Sequence, residues 1–464
     1  MSRQTAKGGP CGRPVDLIGI LRHFLSPDVF RQAHAAAPPP RRSDVRWSLH
    51  PLLMVLVLSC WAAQDSPEGR FFAARAFYVA HVAPKRKRPG QTPEGFSLAL
   101  ARLPCRVLRA FAAALRRRLA GLLAPYWAVD GFIPFGCDGT RLACPRTQEL
   151  ERYLGHDPDS GAPPQVWLTA LVHLRLGVLW SWLLGKSDAS ERQHLLRLLP
   201  TLPAGSLVVT DAGYQGYEMM AALSGAGVSA LMRVSSQTLF YLVDGPDGRP
   251  EPVDLTAWAD GLAHWWTGAA RSAGLPPLKV RLMRVSSSTG KSVVWMASNV
   301  LEASRLSLES AGRFYRMRWE SEGFFRTYKR GLNKVKLTQR TVKLVHREVE
   351  GSLLGVQLLL AMGAWAVAAS GKAGGAACSP AAVLSEIRYE MDGNAKKVKR
   401  PGRFLDRLRR AVRDRKPRES PKTRRAWPKR KDHQPPKPPK LREMGDNLKK
   451  LLDKHLCRET QHER

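Results

Sequence analysis

FGCDGTRL (residues 135–142) and SLVVTDAGY (206–214) are the two stretches on which the fold turns. Each is a short apolar run of strand character, and each carries one aspartate, Asp138 or Asp211, with glycine close behind. Between them VWLTALVHLRLG (166–177) and VLWSWLLG (178–185) keep the strand period, and ERQHLLRLLPTL (191–202) switches to helix spacing. YEMMAALSGAG (217–227) then reads as a short helix ending in glycine, and SALMRVS (229–235) as another strand. Three consecutive strands followed by alternating helix and strand describe a mixed sheet covered by helices, an α/β (α+β) chain.

An acid in or at the end of a strand is commonly a turn former or a cap. A third acid opens another reading. YRMRWESEGFFRTYK (315–329) has a helical pattern in which Glu322 stands among Arg316, Arg318, Arg326 and Lys329. On a continuous helix, at about 100° per residue, Tyr315, Arg318, Glu322 and Lys329 fall within an arc of roughly 60°. An i,i+4 salt bridge of Arg318 with Glu322 accounts for some of this face. Asp138, Asp211 and Glu322 converging from separate segments would instead make a hard-oxygen site suited to Mg²⁺, or Mn²⁺, with positions left for water and phosphate. Carboxylates so placed repel one another, and their convergence itself implies a cation.

The charge balance agrees. Lys and Arg number 74 against 39 Asp and Glu, a net +35 and a pI near 10.6, as expected of a protein that meets polyphosphate backbones. Of this, +16 lies in residues 391–464 (26 basic, 10 acidic) and the rest in sequence that folds. The basic loop PKRKRPGQTPEG (84–95) reads equally as a solvated turn or as a phosphate contact. Seven scattered cysteines with no C-x-x-C pair suit neither zinc nor a disulfide framework and point to a reducing cytoplasm. No secretory signal is expected in the polar, Gly/Pro-rich first fifteen residues. Two apolar runs, 52–63 and 353–369, are read as buried helices and not as membrane spans, the first being too short and the second interrupted by Gln357 and glycines.

The four-position spacing Tyr315, Arg318, Glu322, Lys329 resembles the Y-R-E-K signature of DDE transposases of the insertion-sequence four family. CDGT (137–140) resembles the family's first acidic motif, TDAGYQGYE (210–218) its second, and LNKVKLTQRTVKLVHREVEGSLLGVQLLL (332–360) its continuation. The resemblance covers about residues 131–370. It implies an RNase H-like catalytic core in which Asp138, Asp211 and Glu322 are the catalytic acids, holding two Mg²⁺ or Mn²⁺ ions per active site. It further implies Tyr315, Arg318 and Lys329 as DNA contacts, with Arg233 as a further candidate. A tryptophan in a β-rich insertion would receive a base flipped from a DNA hairpin; Trp295 is the best match, with core packing as the competing reading. The expected domains are a helical DNA-binding region (1–130), a first core segment (131–233), the β-rich insertion (234–300), a second core segment (301–370) and a basic, largely disordered tail (371–464). The expected function is a bacterial insertion-sequence transposase, cytoplasmic and nucleoid-associated. It would cut double-stranded DNA at inverted-repeat ends and join the 3′ hydroxyls to target DNA through a hairpin, as a homodimer. The alternative is an inactive DNA-binding relative acting as inhibitor or regulator.

Overall fold

The computed structural model describes residues 16–38, 46–83, 88–155, 161–243, 258–286, 293–371, 377–392, 400–412 and 437–462. Most of the basic loop's charged residues (84–87), residues 244–257 and 287–292, and the tail residues 413–436 lie outside the described set. In chain order the elements are α1 (Leu17–Phe24), α2 (Pro27–Ala35), α3 (Leu49–Trp61), α4 (Pro67–His81), α5 (Pro93–Arg102), α6 (Cys105–Trp127), β1 (Ile133–Ala143), α7 (Gln148–Leu154), β2 (Gln165–His173) and β3 (Val178–Gly185). Next come α8 (Glu191–Leu198), β4 (Ser206–Thr210), α9 (Tyr217–Gly225), β5 (Ser229–Arg233), β6 (Leu239–Leu242), β7 (Asp260–Trp265), α10 (Gly268–Ser272), β8 (Leu278–Ser286) and β9 (Val293–Ser298). The chain closes with α11 (Leu308–Met317), α12 (Trp319–Arg326), α13 (Val342–Ala368), α14 (Pro380–Met391), α15 (Phe404–Arg410), β10 (Lys440–Arg442) and α16 (Asp446–His462).

The chain divides into two compact units, one of residues 1–126, 144–152 and 327–414, the other of 127–143, 153–326 and 415–464. The first unit is helical and organised on α13. This helix is long and apolar enough to cross a membrane, but 89% of its apolar window is buried within the protein, against helices such as α3 and α5. Gly351 and Gly355 allow the close approach of α3: a Cβ at Gly351 would stand 2.5 Å from the Leu56 side chain, and one at Gly355 2.9 Å from Cys60.

Among the described residues the second unit contains a ten-stranded sheet in the order β10-β6-β7-β8-β9-β5-β4-β1-β2-β3. Its β3-β2-β1-β4-β5 portion is the RNase H-like core: β1, β2 and β3 are antiparallel, and β4 and β5 run parallel to β1. The pattern follows the connections. A short turn joins β2 to β3 and the connection from β1 to β2 carries α7, both between antiparallel neighbours, whereas α8 and α9 carry the chain across to parallel strands. α11 packs on a cluster that includes Phe132, Leu207, Leu231, Met283, Met296 and Phe314.

Strands β6–β9 of the 234–300 segment join the same sheet, β9 pairing with β5 and continuing the core outward. Two sequence expectations change here. The second core segment ends early: residues 327–370 belong to the helical unit. The tail is also more structured than its polarity suggests. Val383, Leu384 and Ile387 of α14 are buried, as are Phe404, Leu405 and Leu408 of α15. Arg407 is buried with its charge balanced by Glu386 (2.7 Å) and Glu390. The low mean hydropathy of the tail had hidden these short apolar stripes.

Candidate active site

Strand register sets the two aspartates abreast. β1 pairs in parallel with β4 up to Gly136 opposite Val209, and two residues further along each chain stand Asp138 and Asp211. Neighbouring strands lie about 4.8 Å apart. Register also brings Arg233 level with Asp211, one step past the Thr210–Met232 pair of β4 and β5. Asp138 Oδ1 accepts the Gly139 N–H at 2.8 Å, and Asp211 Oδ1 accepts the Gly213 N–H at 2.9 Å, capping the turn Ala212–Tyr214. Asp211 therefore does serve as a cap, which leaves its second oxygen for other partners.

Glu322 comes from α12, which lies over β1. Side chains of Gly136 and Asp138 share one face of the strand. A Cβ at Gly136 would stand 2.6 Å from Ser321 Oγ and 2.7 Å from Leu174 Cδ2, so the glycine lets α12 settle onto the face that carries Asp138. Burial pushes the Asp138 carboxyl above its ordinary range, and the negative charges of Asp211 and Glu322 push it the same way, against the Gly139 N–H and Arg318. The three acids thus share one electrostatic neighbourhood. They do not close into a ligand cage: among the described residues no three His, Cys, Asp or Glu side chains are grouped to hold an ion.

The helix bearing Glu322 differs from the continuous one expected. α11 ends at Met317, and bonds from Arg318 N to Tyr315 O (3.2 Å) and from Ser321 N to Arg318 O (3.0 Å) tighten the junction to α12. Past Arg326 the turn widens to a π-helix over Thr327–Gly331, with Leu332 N bonded to Thr327 O and Lys334 N to Lys329 O. The common phase of Tyr315, Arg318, Glu322 and Lys329 is lost at both points. Tyr315, Arg318 and Glu322 fall in the sheet unit, and Lys329 in the helical unit. Arg318 contacts Glu322 at 3.7 Å and lies over the rings of Tyr315 (5.7 Å) and Trp319 (5.3 Å).

Trp295 is 4% exposed, in the middle of the sheet between β5 and β8, where its carbonyl accepts the Val234 N–H. In this conformation it packs the core. Two residues the sequence reading passed over stand closer to the chemistry. Trp319 is 60% exposed, between Arg318 and Glu322. Glu191, the first residue of α8, lays its carboxylate against both glycines that follow the aspartates: a Cβ at Gly139 would stand 2.7 Å from its Oε2, and one at Gly213 3.5 Å from its Oε1. Burial first, then Asp138 and Asp211, raise its carboxyl above the usual range.

The residues present fit a divalent cation. The donors are hard oxygens, the two glycines keep space that a Cβ would fill, and Thr210 Oγ1 and Ser321 Oγ are buried without a hydrogen-bond partner among the described residues.

The family model of the transposase DDE domain matches residues 137–354. The DDE match begins one residue before Asp138, takes in Asp211 and Glu322, and ends within α13. No curated protein matches the chain by sequence. Among solved structures, the cryo-EM structure of a piggyBac transposase synaptic complex with hairpin DNA is similar over 87% of this chain and 86% of that one, at 8% identity and a TM-score of 0.41.

Proposed function

We propose that the protein is a DNA transposase of the insertion-sequence four, Y-R-E-K type, which cuts double-stranded DNA at the ends of a bacterial mobile element and joins the 3′ ends to target DNA. The single observation that carries this reading is the register that sets Asp138 and Asp211 abreast on adjacent parallel strands, with Glu322 within electrostatic reach. Asp138, Asp211 and Glu322 would hold Mg²⁺ or Mn²⁺, two ions per site, which when bound supply activation of the attacking hydroxyl and stabilisation of the leaving oxygen. Arg318, oriented by two aromatic rings, and the Tyr315 hydroxyl would bind phosphate oxygens beside Glu322. Arg233, level with Asp211, extends that anion-binding edge, and Lys329 belongs to the same reading as a further DNA contact. The net +35 supplies the sequence-independent component of DNA affinity, and pairing of two ends calls for a homodimer. Excision through a hairpin belongs to the same reading.

The test uses full-length protein, Mg²⁺ and DNA carrying the element ends that flank its gene. Asp138→Asn, Asp211→Asn and Glu322→Gln each lower strand cleavage by at least about a thousandfold, about 4 kcal/mol of barrier, while binding in a gel-shift assay stays within a few-fold of wild type. Cleavage at wild-type rate by any one of them removes that acid from the site.

A further inference from the structure

Beside the acid loops the sheet unit has a cavity of about 430 Å³, lined among others by Arg192, Gln215, Gly216, Glu218, Thr238 and Arg271. Much of its wall is fixed. The Gln215 amide bonds Ser235 Oγ at 2.9 Å and accepts from Ser235 N (2.7 Å) and Thr238 Oγ1 (2.9 Å). Arg271 Nη1 donates to the Trp266 carbonyl at 2.8 Å and to the Tyr241 hydroxyl at 3.2 Å, and its guanidinium stands 6.0 Å from the centre of each of those rings. The rings are backed in turn by Met444, Leu448 and Leu452.

Arg192 is different. Its guanidinium makes no hydrogen bond or ion pair with any described residue, yet its place is reserved: a Cβ at Gly216 would stand 2.2 Å from Nη2. As the second residue of α8 it is a cation at the positive end of a helix dipole, so helix stability does not account for it. Gly216 also opens α9 with no side-chain cap, leaving that helix start available to an anion. Glu218 offsets one of the two arginines, and the cavity keeps a net positive charge.

The first turn of α8 ties this cavity to the acids. Glu191 rests on Gly139 and Gly213, and the next residue, Arg192, rests on Gly216. Gly216 lies three residue steps beyond Gly213, at most about 10 Å of chain. A DNA strand advancing about 3.4 Å per nucleotide covers that distance in about three steps.

We infer that the cavity binds a phosphodiester of the strand being cut, about three nucleotides or fewer from the scissile bond, with Arg192 as the anion contact not engaged by any described residue and Arg271 as the one held by Trp266 and Tyr241. The inference rests on the transposase reading and adds a substrate subsite to it.

The test is a binding cycle with full-length protein and end DNA in which single phosphates near the cut are replaced, one at a time, by neutral methylphosphonate, measured without divalent cation. Wild type loses about tenfold in affinity at one position within that range. Arg192→Ala loses the same factor on unmodified DNA and becomes insensitive at that position. Gly216→Ala, which leaves the charge in place but drives the guanidinium aside, reproduces Arg192→Ala, and Arg192→Lys keeps some of the affinity. An Arg192→Ala profile as sensitive as wild type at every position overturns the inference, as does a Gly216→Ala protein that binds and responds like wild type. The two readings fail separately: if the acid variants stop cleavage while the phosphate profile ignores Arg192, only the subsite is lost; if the cycle closes but the acid variants still cut, only the catalytic assignment is lost.

Discussion

Aromatic side chains that meet unstacked bases need an accessible ring face, and on that ground Trp319 and Trp295 differ. On the proposed hairpin route the exposed Trp319 is the candidate stacking face, and since stacking is worth about 1–3 kcal/mol per base, Trp319→Ala is expected to weaken binding of hairpin-ended DNA by roughly 5- to 150-fold with little change in duplex affinity. Trp295→Ala, emptying a buried site, instead costs about 3–5 kcal/mol of stability in urea unfolding. Equal binding of the hairpin by wild type and Trp319→Ala counts against the stacking role. Asp138, Asp211 and Glu322 could be picked out of the chain because an acid is anomalous inside an apolar strand or on a basic helix. Glu191 could not. Following the Ser190 cap at the start of a helix, it has the ordinary appearance of a first-turn acid, and only the fold brings it to the two aspartates. Trp319 lies in the same stretch as Glu322, but its exposure follows from the break between α11 and α12, which residue spacing does not reveal.

At the level of elements, the approach of α12 to β1 hinges on a missing side chain. Gly136→Ala puts a methyl into contact with Ser321 and Leu174 and costs about 1–3 kcal/mol, and lifting α12 also lowers cleavage more than it lowers DNA affinity. A variant cleaving like wild type would show that α12 tolerates the shift. In the helical unit, α13 buries Glu350, whose carboxyl burial pushes up from 4.5 to about 7 in spite of Arg347 and Arg109. The native chain then keeps a proton that the unfolded chain releases. Stability of this unit falls as pH rises from about 4.5 to about 7 and is level above that. Glu350→Gln removes the slope: urea unfolding at pH 5 gives nearly equal midpoints for the two proteins, and at pH 8 the variant is the more stable. Elements of this kind were largely legible, since strand runs and helix spacing fix existence and type. The π turn at Thr327–Gly331 was not, because one widened turn leaves no trace in residue spacing.

On the scale of the whole chain, the C-terminal residues complete the sheet unit. β10 pairs with β6, and Met444, Leu448 and Leu452 cover Tyr241 and Trp266. Removing residues 437–464 uncovers that cluster and an unpaired strand edge, a loss on the order of 3–5 kcal/mol for this unit together with concentration-dependent association. Hydrogen exchange in β6 and sedimentation velocity measure the two effects, and unchanged exchange there refutes the structural role. Composition pointed to DNA and to folded sequence, but the partition of the chain was hidden. The path passes between units at residues 126, 143, 152, 326 and 414, and local patterns carry no record of such long-range returns.

That late strand has a consequence for how the protein is made. β6 leaves the ribosome nearly 200 residues ahead of its partner β10, an interval of about 10–40 s at ordinary rates of synthesis. Throughout that time a growing polypeptide presents a bare β6 border to its neighbours on the same messenger, an edge open to pairing with another nascent chain.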